Sequence, residues 1–127
     1  MFVIPADAPC WWTGVGDIGG NRVWVKATTA NALQHELGHN LGMNHAVHWQ
    51  NSDADDSDFM GSGGASLNAF HVVAMGWLRR YPGKVVALDA AADVTLEPLE
   101  ADPRRSALPK VVIVRPAPGA NMPIFQS

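Results

Sequence analysis

His35-Glu36-Leu37-Gly38-His39-Asn40-Leu41-Gly42-Met43-Asn44-His45 has the spacing H-E-x-x-H-x-x-G-x-x-H. On a helix, positions i and i+4 share a face about one turn apart, so His35 and His39 can aim two imidazoles at one metal ion. Glu36 adjoins the first of them and can lean into the same site to take a proton from an attacking water without binding the ion. A third ligand at helical spacing would leave that face, so the chain must break and turn back. Gly42 can take the positive φ of a helix C-terminal turn at little cost. His45 then completes a three-histidine set with a fourth position left for water. A bare HExxH occurs by chance on ordinary helices, whereas the extended form fixes five positions. A structural zinc site is the competing reading, but such sites are usually closed by four ligands and rich in cysteine. The chain has one cysteine, Cys10. The motif therefore predicts a catalytic Zn2+ on His35, His39 and His45, with Glu36 as the general base.

Composition agrees with a single soluble domain or a piece of one: 127 residues, 47% hydrophobic, net charge −3. No basic patch points to nucleic acid, and the short charge clusters form no tail. No run approaches the ~18 apolar residues of a membrane helix. Met1 to Pro5 is too short and lacks the basic start of a signal peptide. Cys10 alone makes no internal disulfide and leaves the redox compartment undecided.

Around the motif, Phe2-Val3-Ile4-Pro5 reads as a buried strand stopped by proline. Ala6 to Gly20 reads as a loop; its Trp11 and Trp12 either line a cleft or, the commoner use, cover a core edge. Arg22 to Lys26 alternates polar and apolar residues, as a half-exposed edge strand does. Thr28 or Thr29 caps a helix from about Ala30 to Leu41, with Leu33, Leu37 and Leu41 packing on the sheet and the histidines on a different face. Gly38 within this helix implies a close neighbour.

Asp53, Asp55, Asp56 and Asp58 are read as a solvated loop, since they lack a full calcium-loop spacing. His48 is read as an exposed loop histidine. Ser66 is the expected cap of a second helix, about Leu67 to Leu78, with Leu67, Phe70, Val73 or Ala74, and Trp77 or Leu78 inward and His71 at the surface. Lys84–Leu88, Val94–Leu99 and Lys110–Val114 read as strands. Pro116, Pro118 and Pro123 make the last stretch extended or disordered. A boundary near Pro82 divides residues 1–80 from a β-rich segment, 83–127.

The extended histidine motif is the zinc signature of the metzincin metalloproteases. Further residues resemble the gametolysin family among them: Asp55, Ser57, Asp58, Met60 and Gly61 match its D-x-S-D-x-M-G stretch. Asn68-Ala69 and Gly76-Trp77-Leu78 are similar to its second helix, and Val3-Ile4-Pro5, Cys10, Trp12, Gly14 and Gly19-Gly20 to its upstream pattern. Asp53 and Ala54 depart from the family's tyrosine and glycine, and Met75 stands for a leucine.

The resemblance implies an α+β metzincin core of edge strand, active-site helix, Met-turn and C-terminal helix. It implies that Met60 is the Met-turn methionine beneath the histidines. It also implies a secreted enzyme that cuts extracellular proteins, with two strands and a helix ahead of Phe2–Pro5. The expected function is zinc-dependent endopeptidase acting on protein or peptide substrates. The rivals are a zinc-containing binding module without catalysis and an adhesion segment built on residues 83–127.

Overall fold

The computed structural model describes residues 1–26, 28–47, 55–62 and 66–115. His48, Asp53, Ala54 and the prolines from Pro116 onward lie outside the described residues. The chain divides into two compact units, Met1–Leu67 and one beginning at Asn68. The boundary expected near Pro82 falls inside the second.

The first unit is built on a three-stranded sheet of β1 (Phe2–Val3), β2 (Gly14–Gly16) and β3 (Val23–Val25), in the order β1-β3-β2. β1 runs parallel to β3, and β2 antiparallel to it with Val15 opposite Trp24. Val23 and Val25 are 1% and 0% exposed. Trp24 points to the other face, where it stacks on Phe2 at 5.6 Å between ring centres. The alternation expected of Arg22–Lys26 is therefore present, but its place is corrected. β3 is the middle strand, and β2, within the expected loop, lies at the edge. Two glycines in three residues hide β2 from any reading by strand propensity.

Helix α1 (Ala30–Asn40) packs on β2 and β3. Thr29 is its N-cap, and the hydroxyl accepts from the Ala32 N–H at 3.3 Å. The helix buries Glu36, Gly38 and His39. Leu37 and Leu41 are 49% and 60% exposed, and Leu33 is half-buried. The leucine stripe expected against the sheet is thus contradicted: the face that carries the chemistry is the face that packs. β2 permits this because Gly14 and Gly16 present no side chains to the helix. A Cβ on Gly14 would lie 2.6 Å from Glu36 Oε1, and one on Gly16 would overlap the Glu36 carbonyl.

The second unit contains α2 (Ala69–Ala74) and a two-stranded parallel sheet of β4 (Val85–Leu88) and β5 (Val111–Val114). Asn68, rather than Ser66, caps α2 by accepting from the His71 N–H at 3.0 Å. The helix is shorter than expected, and Gly76 follows it at φ +70°. Its burial also inverts the expectation: His71 is 3% exposed, whereas Phe70 is 74% and Trp77 49% exposed. Leu78 is buried as expected.

Residues 94–99 form no strand. Glu97 instead turns inward, where Lys84 Nζ donates to its Oε1 and Lys110 Nζ lies 3.5 Å from the same oxygen. Both lysines are buried. The remaining Lys84 donors reach the carbonyls of Ser106 and Leu108 at 2.6 and 2.8 Å, and Lys110 donates to Pro98 O at 2.6 Å. Buried ammonium groups survive when every donor has an acceptor and a counter-charge is at hand.

Candidate metal centre

The first unit brings His35, His39 and His45 together. Their ligand nitrogens all lie within 4.8 Å of one another, and His39 Nε2 is 3.2 Å from His45 Nε2. Among the described residues these three form the one group able to hold a metal ion. The ring centres make a near-equilateral triangle, 4.9, 5.0 and 4.8 Å on a side.

How the third histidine arrives is legible in the backbone. The Met43 N–H donates to Gly38 O at 3.1 Å and the Gly42 N–H to His39 O at 2.8 Å, with Gly42 at φ +93°. These two bonds are the Schellman closure of a helix end, which needs a residue with positive φ after the C-cap. The closure reverses the chain and buries Met43. The Ala46 N–H then bonds Met60 O at 2.9 Å, which anchors the strand of chain carrying His45.

Each helix histidine is oriented by a backbone carbonyl. His35 Nδ1 is 2.8 Å from Phe59 O, and His39 Nδ1 is 2.8 Å from Met43 O. A carbonyl only accepts, so each Nδ1 carries the proton and each Nε2 presents a lone pair. This outer contact is the one that fixes metal-binding imidazoles in other proteins. Burial, and then the neighbouring His39 and His35, push the His45 pKa below its ordinary value. The two carbonyl contacts fix the tautomer of the helix histidines, and the lowered His45 pKa favours its neutral, donating form. Three imidazoles and an open position fit zinc, for which tetrahedral geometry sets N···N separations of about 3.4 Å.

Met60 is fully buried and lies against Gly38, where a Cβ would overlap its Sδ. Gly38 is thus explained by a close neighbour, as its position inside a helix implied. Asp55 and Asp58 are not a solvated pair. Asp55 Oδ1 accepts from the Ser57 N–H at 2.8 Å and hydroxyl at 2.6 Å, and buried Asp58 accepts from the Met60 N–H at 2.7 Å. Their carboxylates shape the turn that carries Phe59 and Met60. Sequence reasoning matched these aspartates as a motif but missed this role, which their two-residue spacing to Ser57 and Met60 could have signalled.

A cleft lies over the histidines in two lobes. One, of about 400 Å³, is lined by Val15, Gly16, Ile18, His39 and His45 among others. The other, of about 560 Å³, reaches Asn31, Phe59 and Ser62. Trp11, Trp12, Gly14, His35 and Glu36 border both. Trp11 is 96% exposed, so the reading of it as cover for a core edge is corrected, whereas Trp12 is half-buried. Cys10 is half-buried, and its carbonyl accepts from Lys26 Nζ.

Residues 1–115 match the family described as Gametolysin peptidase M11. The chain belongs to the gametolysin peptidase family. Membership makes it a metallopeptidase by family, and a family of peptidases acts on proteins or peptides. The histidine cluster supplies a place where the metal of such an enzyme could sit. Neither a curated protein nor a solved structure matches the chain. Among the described residues no helix is long and apolar enough to cross a membrane.

Proposed function

We propose that the protein is a zinc-dependent endopeptidase, with His35, His39 and His45 as the metal ligands, Glu36 as general base and Met60 as the apolar support beneath them. The observation that carries this reading is the convergence of one ring nitrogen from each of the three histidines in a cleft that Glu36 also lines. Zinc on three imidazoles supplies a Lewis acid and brings the pKa of a water molecule down to about 7.

Glu36 borders both lobes of the cleft, where it accepts the attacking water's proton and returns it to the leaving amine. Its backbone is fixed by α1 and its side chain by Gly14. β2 holds the substrate. Thr13 O accepts from the Lys26 N–H and the Asp17 N–H donates to Arg22 O, at the two ends of β3, so by antiparallel alternation Gly14 and Gly16 direct their N–H and C=O groups to the outer edge. That edge is open among the described residues, and a peptide can add to it as a further strand.

A site that only held metal would have no use for a carboxylate turned into the cleft, which disfavours the inactive binding module. Hydrolysis of casein by the zinc-loaded chain, abolished by chelator and restored by zinc, is the expected result; chelator-insensitive hydrolysis or none at all counts against the reading. Extracellular protein as the substrate rests on the family resemblance. Recovery of the chain from culture medium of its source, rather than from the cells, checks that part.

A further inference from the structure

The metal and the general base leave part of the cleft unexplained: Trp11 and Trp12, with Val15 and Ile18 beside them. Trp11, Ile18 and Val15 are 96%, 59% and 38% exposed. With Trp12 they line the same lobe. Single exposed apolar residues are ordinary, but a contiguous group beside a cleft marks a contact surface. Beyond the histidines and Glu36, Asn44 is the one polar side chain of this lobe among the described residues. Apart from the metal site itself, a charged group entering it would lose hydration without gaining a counter-charge.

The direction of the strand says which end of a peptide enters this lobe. β2 runs from Gly14 to Gly16, and antiparallel addition is the more stable pairing. A peptide added that way passes Gly16 and Ile18 first and Gly14 and Trp12 afterwards. Its amino-side residues therefore meet the apolar lobe. Its carboxyl-side residues meet the other lobe, whose lining includes Thr13, Asn31 and Ser62.

We propose that the lobe of Val15 and Ile18, bordered by Trp11 and Trp12, receives the substrate side chain on the amino side of the scissile bond and selects aliphatic or aromatic residues there. The inference deepens the peptidase reading and rests on it. Val15 and Ile18, found in this lobe alone, are its specificity determinants and take no part in proton transfer.

Cleavage-site profiling of an unbiased peptide mixture by the zinc-loaded chain tests it. Leu, Ile, Phe and Met are expected to exceed Asp on the amino side by roughly tenfold or more. Ile18→Lys, at an exposed position, should lower that ratio several-fold by admitting acidic side chains. An apolar preference confined to the carboxyl side, or a ratio that Ile18→Lys leaves unchanged, overturns the proposal. A second measurement uses zinc-loaded Glu36→Gln and a matched pair of peptides carrying Leu or Asp, with binding followed by tryptophan fluorescence. Tighter binding of the Leu peptide, weakened by Ile18→Lys, supports the pocket even if the wild type cleaves nothing, in which case the peptidase reading alone has failed. Equal binding of the two peptides overturns the pocket whatever the activity.

Discussion

Gly14 lies directly over Glu36: a Cβ at Gly14 would fall 2.6 Å from Oε1 and 2.7 Å from Cγ. An edge strand and an active-site helix approach this closely only where the strand lacks a side chain. Gly14→Ala should therefore push the Glu36 carboxylate aside. Misplacement of a catalytic group by about 1 Å costs on the order of 10²-fold in rate. Turnover is expected to fall by that order while bound zinc stays unchanged. Full activity in Gly14→Ala would show that the carboxylate is not positioned by this contact.

Gly16 meets backbone, the Glu36 carbonyl, where Gly14 meets a side chain. Backbone yields less readily. Gly16→Ala is expected to destabilise the fold by about 1–3 kcal/mol, seen as a lower denaturation midpoint. A midpoint equal to that of the wild type would contradict the close approach of helix and strand.

At Gly38 a methyl group would overlap the sulfur of Met60. Alanine gains helix propensity of ~1 kcal/mol, but overpacking a buried site costs about 1–3 kcal/mol. Gly38→Ala should be destabilising on balance, and combination with Met60→Ala should cost less than the two changes summed. Strict additivity in that double-mutant cycle would separate Gly38 from Met60.

These glycine positions also show what a sequence can and cannot disclose. The grouping of His35, His39 and His45, the Thr29 cap, the helix from Ala30 and the turn at Gly42 were all legible, because each depends on residues within a few positions of one another. β2 was not legible, since its glycines carry no strand preference and are required by a helix about twenty residues away. The leucine stripe misled for a related reason. Periodicity reports an apolar face, but burial on α1 follows the sheet's approach to Glu36, Gly38 and His39. His71 and Glu97 were misplaced similarly: both are polar residues buried by partners that spacing does not reveal.

The Lys84–Glu97–Lys110 cluster makes stability of the second unit depend on acid. Hydrogen bonding from Lys84, and then the Lys110 charge, hold the Glu97 carboxyl below its usual range, against the opposing effect of burial. A depressed folded-state pKa contributes stability that is present above the unfolded value. That stability is lost as pH falls through the folded one. Thermal melts should therefore weaken with acidification below about pH 4.5. Glu97→Gln should melt lower at neutral pH and show a flatter acid slope. Parallel pH profiles for the two proteins would contradict the assignment.

Zinc occupancy depends on the third histidine as much as on the helix pair. His45→Ala should lose bound zinc on dialysis, whereas the wild type should keep one ion per chain and release it in acid as the ligands protonate. Equal zinc in both proteins would remove His45 from the ligand set.

The division of labour between three ligands and one base is tested most directly in Glu36→Gln. Glutamine keeps the shape of the side chain but cannot accept the proton. Zinc content and peptide turnover should be measured on the same preparation. The predicted result is one zinc per chain, as in the wild type, with turnover lower by roughly 10²-fold or more. Near-normal turnover at full zinc occupancy would contradict the account, because another group would then be taking the proton.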